Sequence, residues 1–260
     1  MKLKDRISSY EEISDTKLLN KLPIIITVNG KSFNKITSLL DKPFSKEFAE
    51  AMCSAMFKAS MEIEGVVFAY QYNDTITFVS RNDQTIDTLP WVDNKVQKIA
   101  SIVSSLITLY FNNYANSNDM NLMGDAVFYT NAFTVPNLSE AINTIIYKQQ
   151  QSMQLSIQNS CYYELLKKYN KNDIRDMLQN TTIDDKINIL HQECNIDVNN
   201  YPIAFRRGVA CYKGPKIINY DGDQLIKNKW MLNSQLPIFT SDQSFLKNIF
   251  NIGNDILRGD

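Results

Sequence analysis

The chain has 260 residues, a hydrophobic fraction of 44% and a formal net charge of −1 at pH 7. That length suits one domain or two closely joined ones with a substantial core, and the near-zero charge excludes a generic polycationic nucleic-acid binder, so any RNA has to meet a local basic patch. Cys53, Cys161, Cys194 and Cys211 are scattered without a CxxC pair and His191 is the only histidine, which argues against a zinc site. No apolar leader or long apolar run points to export or a membrane, and the four thiols fit a reducing cytoplasm.

Residues 2–20 place Leu3, Ile7, Tyr10 and Ile13 at helical spacing, which predicts an N-terminal helix or two. Such an arm either packs on the body or offers Lys4 and Arg6 to a substrate. Residues 22–28 are short and β-branched and read as a central strand that turns at Asn29-Gly30. Ser45 is a good N-cap for a helix to about Glu62, with Phe48, Met52, Ala55, Met56 and Ala59 as its inner stripe. Gly65 ends that helix. Residues 66–70 and 75–80 form a hairpin with Asn73-Asp74 near its turn.

Residues 82–87 read as a polar loop and 92–110 as a long helix with Lys95 and Lys98 near its start. A loop over 112–119, a strand or two over 126–134 and a helix over 138–152 capped by Asn137 follow. Beyond it, 152–169, 172–178, 183–190 and 244–257 have helical patterns, and 204–212 a strand-like one. The expected organisation is α+β, with a sheet-based domain over 1–150 and a mainly helical region over 151–260 packed on it.

The stretch from residue 22 to 79 carries the candidate chemistry. A buried strand that breaks into glycine and a basic, hydroxyl-bearing turn presents N–H groups to phosphates. A hairpin with Asp74 at its tip brings a carboxylate beside that turn, and the two together suit a metal–triphosphate. Here the residues carry a resemblance. Val28-Asn29-Gly30-Lys31-Ser32-Phe33 resembles the IDGRxF turn of the tRNA-His guanylyltransferase family and its 3′–5′ polymerase relatives. Lys42-Pro43-Phe44 resembles the KPF element that follows it, and residues 68–79 resemble FAYxQSDExSFV. Lys2-Leu3-Lys4-Asp5-Arg6 with Tyr10-Glu11 is similar to the LGDRMKxYE opening, and Tyr201-Pro202 with Phe205-Arg206-Arg207-Gly208 to the later P…FKRG.

The resemblance implies a polymerase-palm-like antiparallel sheet, two Mg2+ ions, ATP or GTP as substrates, and 3′–5′ nucleotide addition to tRNA 5′ ends by a homotetramer. It implies catalytic and metal roles at Asp74 and Asn29, with the Gly30 carbonyl as a further ligand. It implies nucleotide contacts at Gly30, Lys31, Ser32, Phe33, Asn34, Lys42, Asn73, Lys95 and Lys98. Lys167, Lys168, Lys171, Arg206 and Arg207 supply the best local basic signal for RNA.

The chain also departs from the pattern. The first metal carboxylate of the family falls on Asn29, and the acidic pair after the corner is Asp74-Thr75. FDARxFxVP reads as residues 128–136 with Tyr129 and Asn131 in place of the acid and the Arg, and WRQxD reads as residues 147–151. The HINNLYN motif of the eukaryotic histidine-tRNA enzymes is absent over 153–159, which favours 5′-end repair or extension. The lost carboxylates leave a second reading open: a member that binds nucleotide or RNA as a sensor, inhibitor or subunit.

Overall fold

Ile24–Gly30 (β1) owes its place in the sheet to alternation. Ile24, Ile26 and Val28 point to one face and Ile25 to the other, and all four are buried. The strand therefore has to be covered on both sides, and it is. In this computed structural model, which describes residues 1–85, 87–220 and 223–250, the other elements assemble around it. They are Leu3–Glu12 (α1), Phe33–Ile36 (α2), Lys46–Glu62 (α3), Val66–Tyr72 (β2), Thr75–Ser80 (β3), Val96–Ser117 (α4), Phe128–Thr134 (β4) and Leu138–Leu165 (α5). Lys171–Leu178 (α6), Ile183–Cys194 (α7), Ile203–Arg207 (α8), Val209–Tyr220 (β5), Asp223–Asn233 (β6) and Ser244–Ile249 (α9) complete the order.

The described strands form one sheet in the order β4-β1-β3-β2-β5-β6, with every neighbouring pair antiparallel. The expected α+β architecture and its palm-like sheet are present. α3 and α4 cover one face: Met52, Ala55, Met56 and Ala59 of the expected stripe meet Ile99, Val103, Ile107 and Phe111 over Ile24, Ile26 and Val28. Ser45 caps α3 as expected, its hydroxyl accepting from the Phe48 N–H. The other face packs Ile25, Phe68, Tyr70 and Val79 against α5 residues Ala141, Ile142 and Ile145 and against Phe239 and Leu246.

Several local expectations change. α4 starts at Val96, because Val92, Asp93 and Asn94 hold positive φ and break the helix before it begins. It runs on to Ser117, taking in most of the stretch read as a loop, because Phe111 and Ala115 continue its buried stripe. α5 is one continuous helix across the break expected at residue 152. The 204–212 stretch divides at Gly208, whose φ of +74° stops α8 and lets β5 begin. β5 pairs with β2 and β6 with β5, so the sheet draws strands from both sides of residue 150. The N-terminal stripe does not pack: α1 has no buried residue, and Leu3 and Ile13 are 66% and 83% exposed. Part of the helix expected over 244–257 lies outside the described residues.

The thiols give a first prediction. Cys53 is pushed up to about 12 and Cys211 to about 11, mainly by burial, and Cys161 is fully buried. Thiolate is the reactive form, so at pH 8 a maleimide should label the native protein at Cys194 alone. All four should label after denaturation. Rapid native labelling of Cys53 or Cys211 would contradict this packing.

Candidate nucleotide site

The end of β1 and the β2–β3 corner are locked together by backbone bonds. The Gly30 N–H donates to the Asp74 carbonyl (3.0 Å), and the Lys31 N–H to the Val127 carbonyl (2.8 Å). These two amides are therefore not available to phosphates, against the expectation for the turn. Ser32, Phe33 and Asn34 are different. Ser32 adopts φ +58° and starts α2, and the first N–H groups of a helix have no intrahelical partner. Phe33 is the anchor of the turn. Its ring is buried and lies 4.9 Å from Phe128, 5.6 Å from Phe111 and 5.8 Å from Phe48. Its side chain belongs to the core, which leaves its backbone as the part that faces a ligand.

At the corner, Asn73 takes φ +47°. Its carbonyl accepts from Gln71 Nε2 (2.8 Å), and its Nδ2 donates to Asp74 Oδ1 (2.8 Å). Burial raises the Asp74 carboxyl above its ordinary value, with its own backbone N–H and Asn73 acting against that shift. Asn29 stands directly opposite Thr75 across the β1–β3 pair, and the Thr75 hydroxyl donates to Asn29 Oδ1 (3.2 Å). Asn29, Gly30, Asn73 and Asp74 are thus brought together as expected.

A polar cleft of about 340 Å3 opens beside this corner, lined by Asn34, Thr37, Lys42, Asn73, Asp74, Asn159 and Tyr163. Lys42 Nζ donates to Thr37 Oγ1 (3.2 Å) and lies 5.8 Å from the Tyr163 ring centroid. Burial lowers its pKa, and among the described residues no carboxylate pairs with it. A half-buried cation without a counter-ion suits an anionic ligand. A narrower apolar recess adjoins the cleft through Pro43, Ser45 and Leu155 and reaches Phe44, Phe48 and Phe205. Thr37, Asn159 and Tyr163 were missed in the sequence reading. Asn159 lies in the 153–159 segment, where the absent motif drew attention away from the residues present.

The remaining candidates are placed elsewhere. Lys95 sits at the start of α4, where its Nζ pairs with Asp15 at 2.6 Å. Asn112, far along the same helix, is the residue that bonds Ala126 near the end of β1. At 1.5 Å per residue, Lys95 and Lys98 are roughly 20 Å or more from that end, so they are not brought to the cleft. Lys31 is exposed. Lys167 pairs with Glu164, and Lys168 donates to the Glu193 carbonyl. Arg206 donates to the Tyr201 carbonyl and Asn199, and Arg207 to the Leu236 carbonyl. The two arginines tie α8 to its neighbours, and only Lys171 of this set makes neither an ion pair nor a side-chain hydrogen bond among the described residues.

The family model for tRNAHis guanylyltransferase (Thg1) matches residues 4–136, more than half of the chain. The chain belongs to this family. A probable tRNA(His) guanylyltransferase of Dictyostelium discoideum is 24% identical over 220 residues, covering 80% of this chain and 83% of that protein. A bacterial Thg1-like protein solved in complex with ATP is 25% identical with a TM-score of 0.80, over 95% of this chain and 99% of that one. A GTP complex of a bacterial Thg1-like protein has a TM-score of 0.75 at 24% identity, over 95% and 98%.

The family resemblance implies a two-ion Mg2+ centre, and the donors present do not fit one. Among the described residues no three His, Cys, Asp or Glu side chains gather. Asp74 is the sole carboxylate lining the cleft besides Asp41. The Asn29 amide is neutral and already accepts the Thr75 hydroxyl. Hard divalent ions need anionic oxygens, and two ions need more charge than one corner carboxylate offers. A Mg2+ ion that arrives with the triphosphate as part of the substrate is a smaller demand, since the phosphates supply most of its ligands.

Proposed function

We propose that this Thg1-family chain binds a nucleoside triphosphate, ATP or GTP, in the Lys42–Asp74 cleft and acts as a nucleotidyltransferase on tRNA 5′ ends. The observation that carries the reading is the cleft itself. An unpaired half-buried cation, helix-start N–H groups and an adjoining apolar recess are what a triphosphate and a base require. Lys42 and the α2 amides hold the phosphates, and Asp74 orients the ion that comes with them. The recess beside Phe44 and Phe205 takes the base. In the transfer, a nucleotide 3′-hydroxyl attacks the activated 5′ phosphorus, the new phosphodiester forms, and AMP or pyrophosphate leaves.

Residues 1–150 are read as the body of the palm unit, completed by β5 and β6, with the helices of the 151–260 region packed on it, and the working form as a homotetramer in the cytoplasm. Exposed Lys171, Lys213, Lys227 and Lys229 are the better RNA-contacting candidates, since the arginines of α8 are engaged in the fold. No helix among the described residues is long and apolar enough to cross a membrane.

The test is incubation of the purified chain with labelled nucleoside triphosphates, Mg2+ and a tRNA trimmed at its 5′ end. The reading expects incorporation that is lost in Asp74→Ala, and an RNA affinity that falls with rising salt. Asn29 in place of a carboxylate beside Asp74 favours a second reading, a nucleotide- and RNA-binding member without turnover. Nucleotide binding that persists with no incorporation would select it, and absence of both would end both readings.

A further inference from the structure

One face of β4 stands partly open to solvent. Phe128, Thr130 and Ala132 point toward α4: Phe128 joins the buried ring cluster, and Thr130 Oγ1 meets Ser104 Oγ at 2.8 Å. Tyr129, Asn131 and Phe133 therefore point to the opposite face. There Tyr129 and Phe133 are 52% and 43% exposed, although each pairs with a β1 residue that is half-buried or fully buried. The register sets Tyr129 directly opposite Asn29, Asn131 opposite Thr27 and Phe133 opposite Ile25. Directly opposite residues on one face stand about 5 Å apart.

One lateral row thus runs from the open edge into the candidate site: Tyr129, Asn29, Thr75, Tyr72. Tyr72 closes its inner end through a 3.1 Å bond to Gln151, which in turn bonds Tyr147. No residue of the row is charged. We propose that Tyr129 and Phe133 form a stacking platform for an unpaired nucleobase at the 5′ end of the RNA, delivering that end to Asn29 and the cleft. The proposal rests on the nucleotide-site reading.

Three observations favour a nucleobase as the occupant. The row that starts at Tyr129 ends at Tyr72, which lines the apolar recess beside the cleft, where the base of a nucleotide is argued to sit. Its exposed groups are flat rings separated by an amide, Tyr129–Asn131–Phe133, at a spacing of roughly 7 Å along the strand. Two rings and an intervening donor–acceptor amide suit a base's π-face and its edge. The edge position leaves room for the backbone of a single strand to pass outside the sheet.

The experiment uses the full chain and a tRNA acceptor duplex whose unpaired 5′-terminal base is 2-aminopurine, a fluorophore quenched on stacking. The parent protein should quench it on binding. Tyr129→Ala/Phe133→Ala should weaken RNA binding about tenfold or more and abolish the quenching, while ATP affinity in the cleft holds, which also reports that the variant is folded. Tyr129→Phe should retain both affinity and quenching, because the ring and not the hydroxyl stacks. Binding without quenching by the parent, or unchanged affinity and quenching in the double variant, would overturn the platform. So would a double variant that loses self-association by light scattering while keeping its RNA affinity, since the face would then hold a second copy of the chain. Loss of ATP binding in Lys42→Ala with quenching intact would confirm the cleft and the platform as separate sites. Failure of the parent to bind ATP, with quenching present, would remove the triphosphate reading and leave the platform standing.

Discussion

Asn29→Asp should strengthen Mg2+ binding about tenfold or more in the presence of a nucleoside triphosphate, and should raise incorporation into tRNA with it. Asn29 lies on the strand end that is tied to the corner through the Gly30 N–H and the Asp74 carbonyl. A carboxylate there adds charge and a stronger oxygen donor to a site that now relies on Asp74. The Thr75 hydroxyl, which donates to Asn29 Oδ1, can donate equally to a carboxylate, so the local geometry does not have to change. Without Mg2+ the sign reverses. A second negative charge beside Asp74 and a triphosphate is repulsive, so triphosphate affinity should fall when a chelator is present. Contacts from Lys42 and the α2 amides need no carboxylate and should contribute the same in both forms. Titration of Mn2+ by electron paramagnetic resonance, beside calorimetric ATP binding with and without Mg2+, reads each effect separately. Identical behaviour of the two forms in every condition would mean that position 29 does not face the ligand.

Much of this site was legible in the sequence because it depends on short-range chemistry. The β-branched run of β1, the Ser45 cap and the Asn73-Asp74 corner each declare themselves through local pattern. What was not legible depends on which long-range neighbour a residue meets. Lys95 and Lys98 look well placed for a triphosphate until the direction of α4 carries them to the far end of the sheet. Arg206 and Arg207 look like a basic patch until their guanidinium groups are spent on carbonyls of the fold. The start of α4 was misplaced because three consecutive positive-φ residues, Val92 to Asn94, include a valine that propensity alone would never assign to that conformation. Tyr129 was recorded only as a lost acid. Strand parity and register were needed to show that the replacement ring is exposed beside Asn29.

Gly30→Ala should cost about 1–3 kcal/mol of stability and lower the melting temperature by roughly 3–10 °C. The reason is the close approach of the backbone to an anchored ring. A Cβ at Gly30 would sit 2.7 Å from Phe33 Cγ and closer still to two other ring atoms. Phe33 cannot retreat, because Phe128, Phe111 and Phe48 surround it with centroids 4.9 to 5.8 Å away. Relief has to come from the turn, so residues 31–34 must shift and the α2 amides with them. Triphosphate affinity should therefore fall along with stability. A double-mutant cycle isolates the cause. Phe33→Leu alone should destabilise by removing ring contacts, but in that background Gly30→Ala should cost far less, because the flexible and smaller side chain yields to the new methyl. Strictly additive melting shifts in the double variant would show that the ring is not what excludes a side chain at position 30. Retained ATP affinity in Gly30→Ala, despite the lower melting temperature, would separate the turn's structural role from phosphate binding and place the phosphates on Lys42 instead.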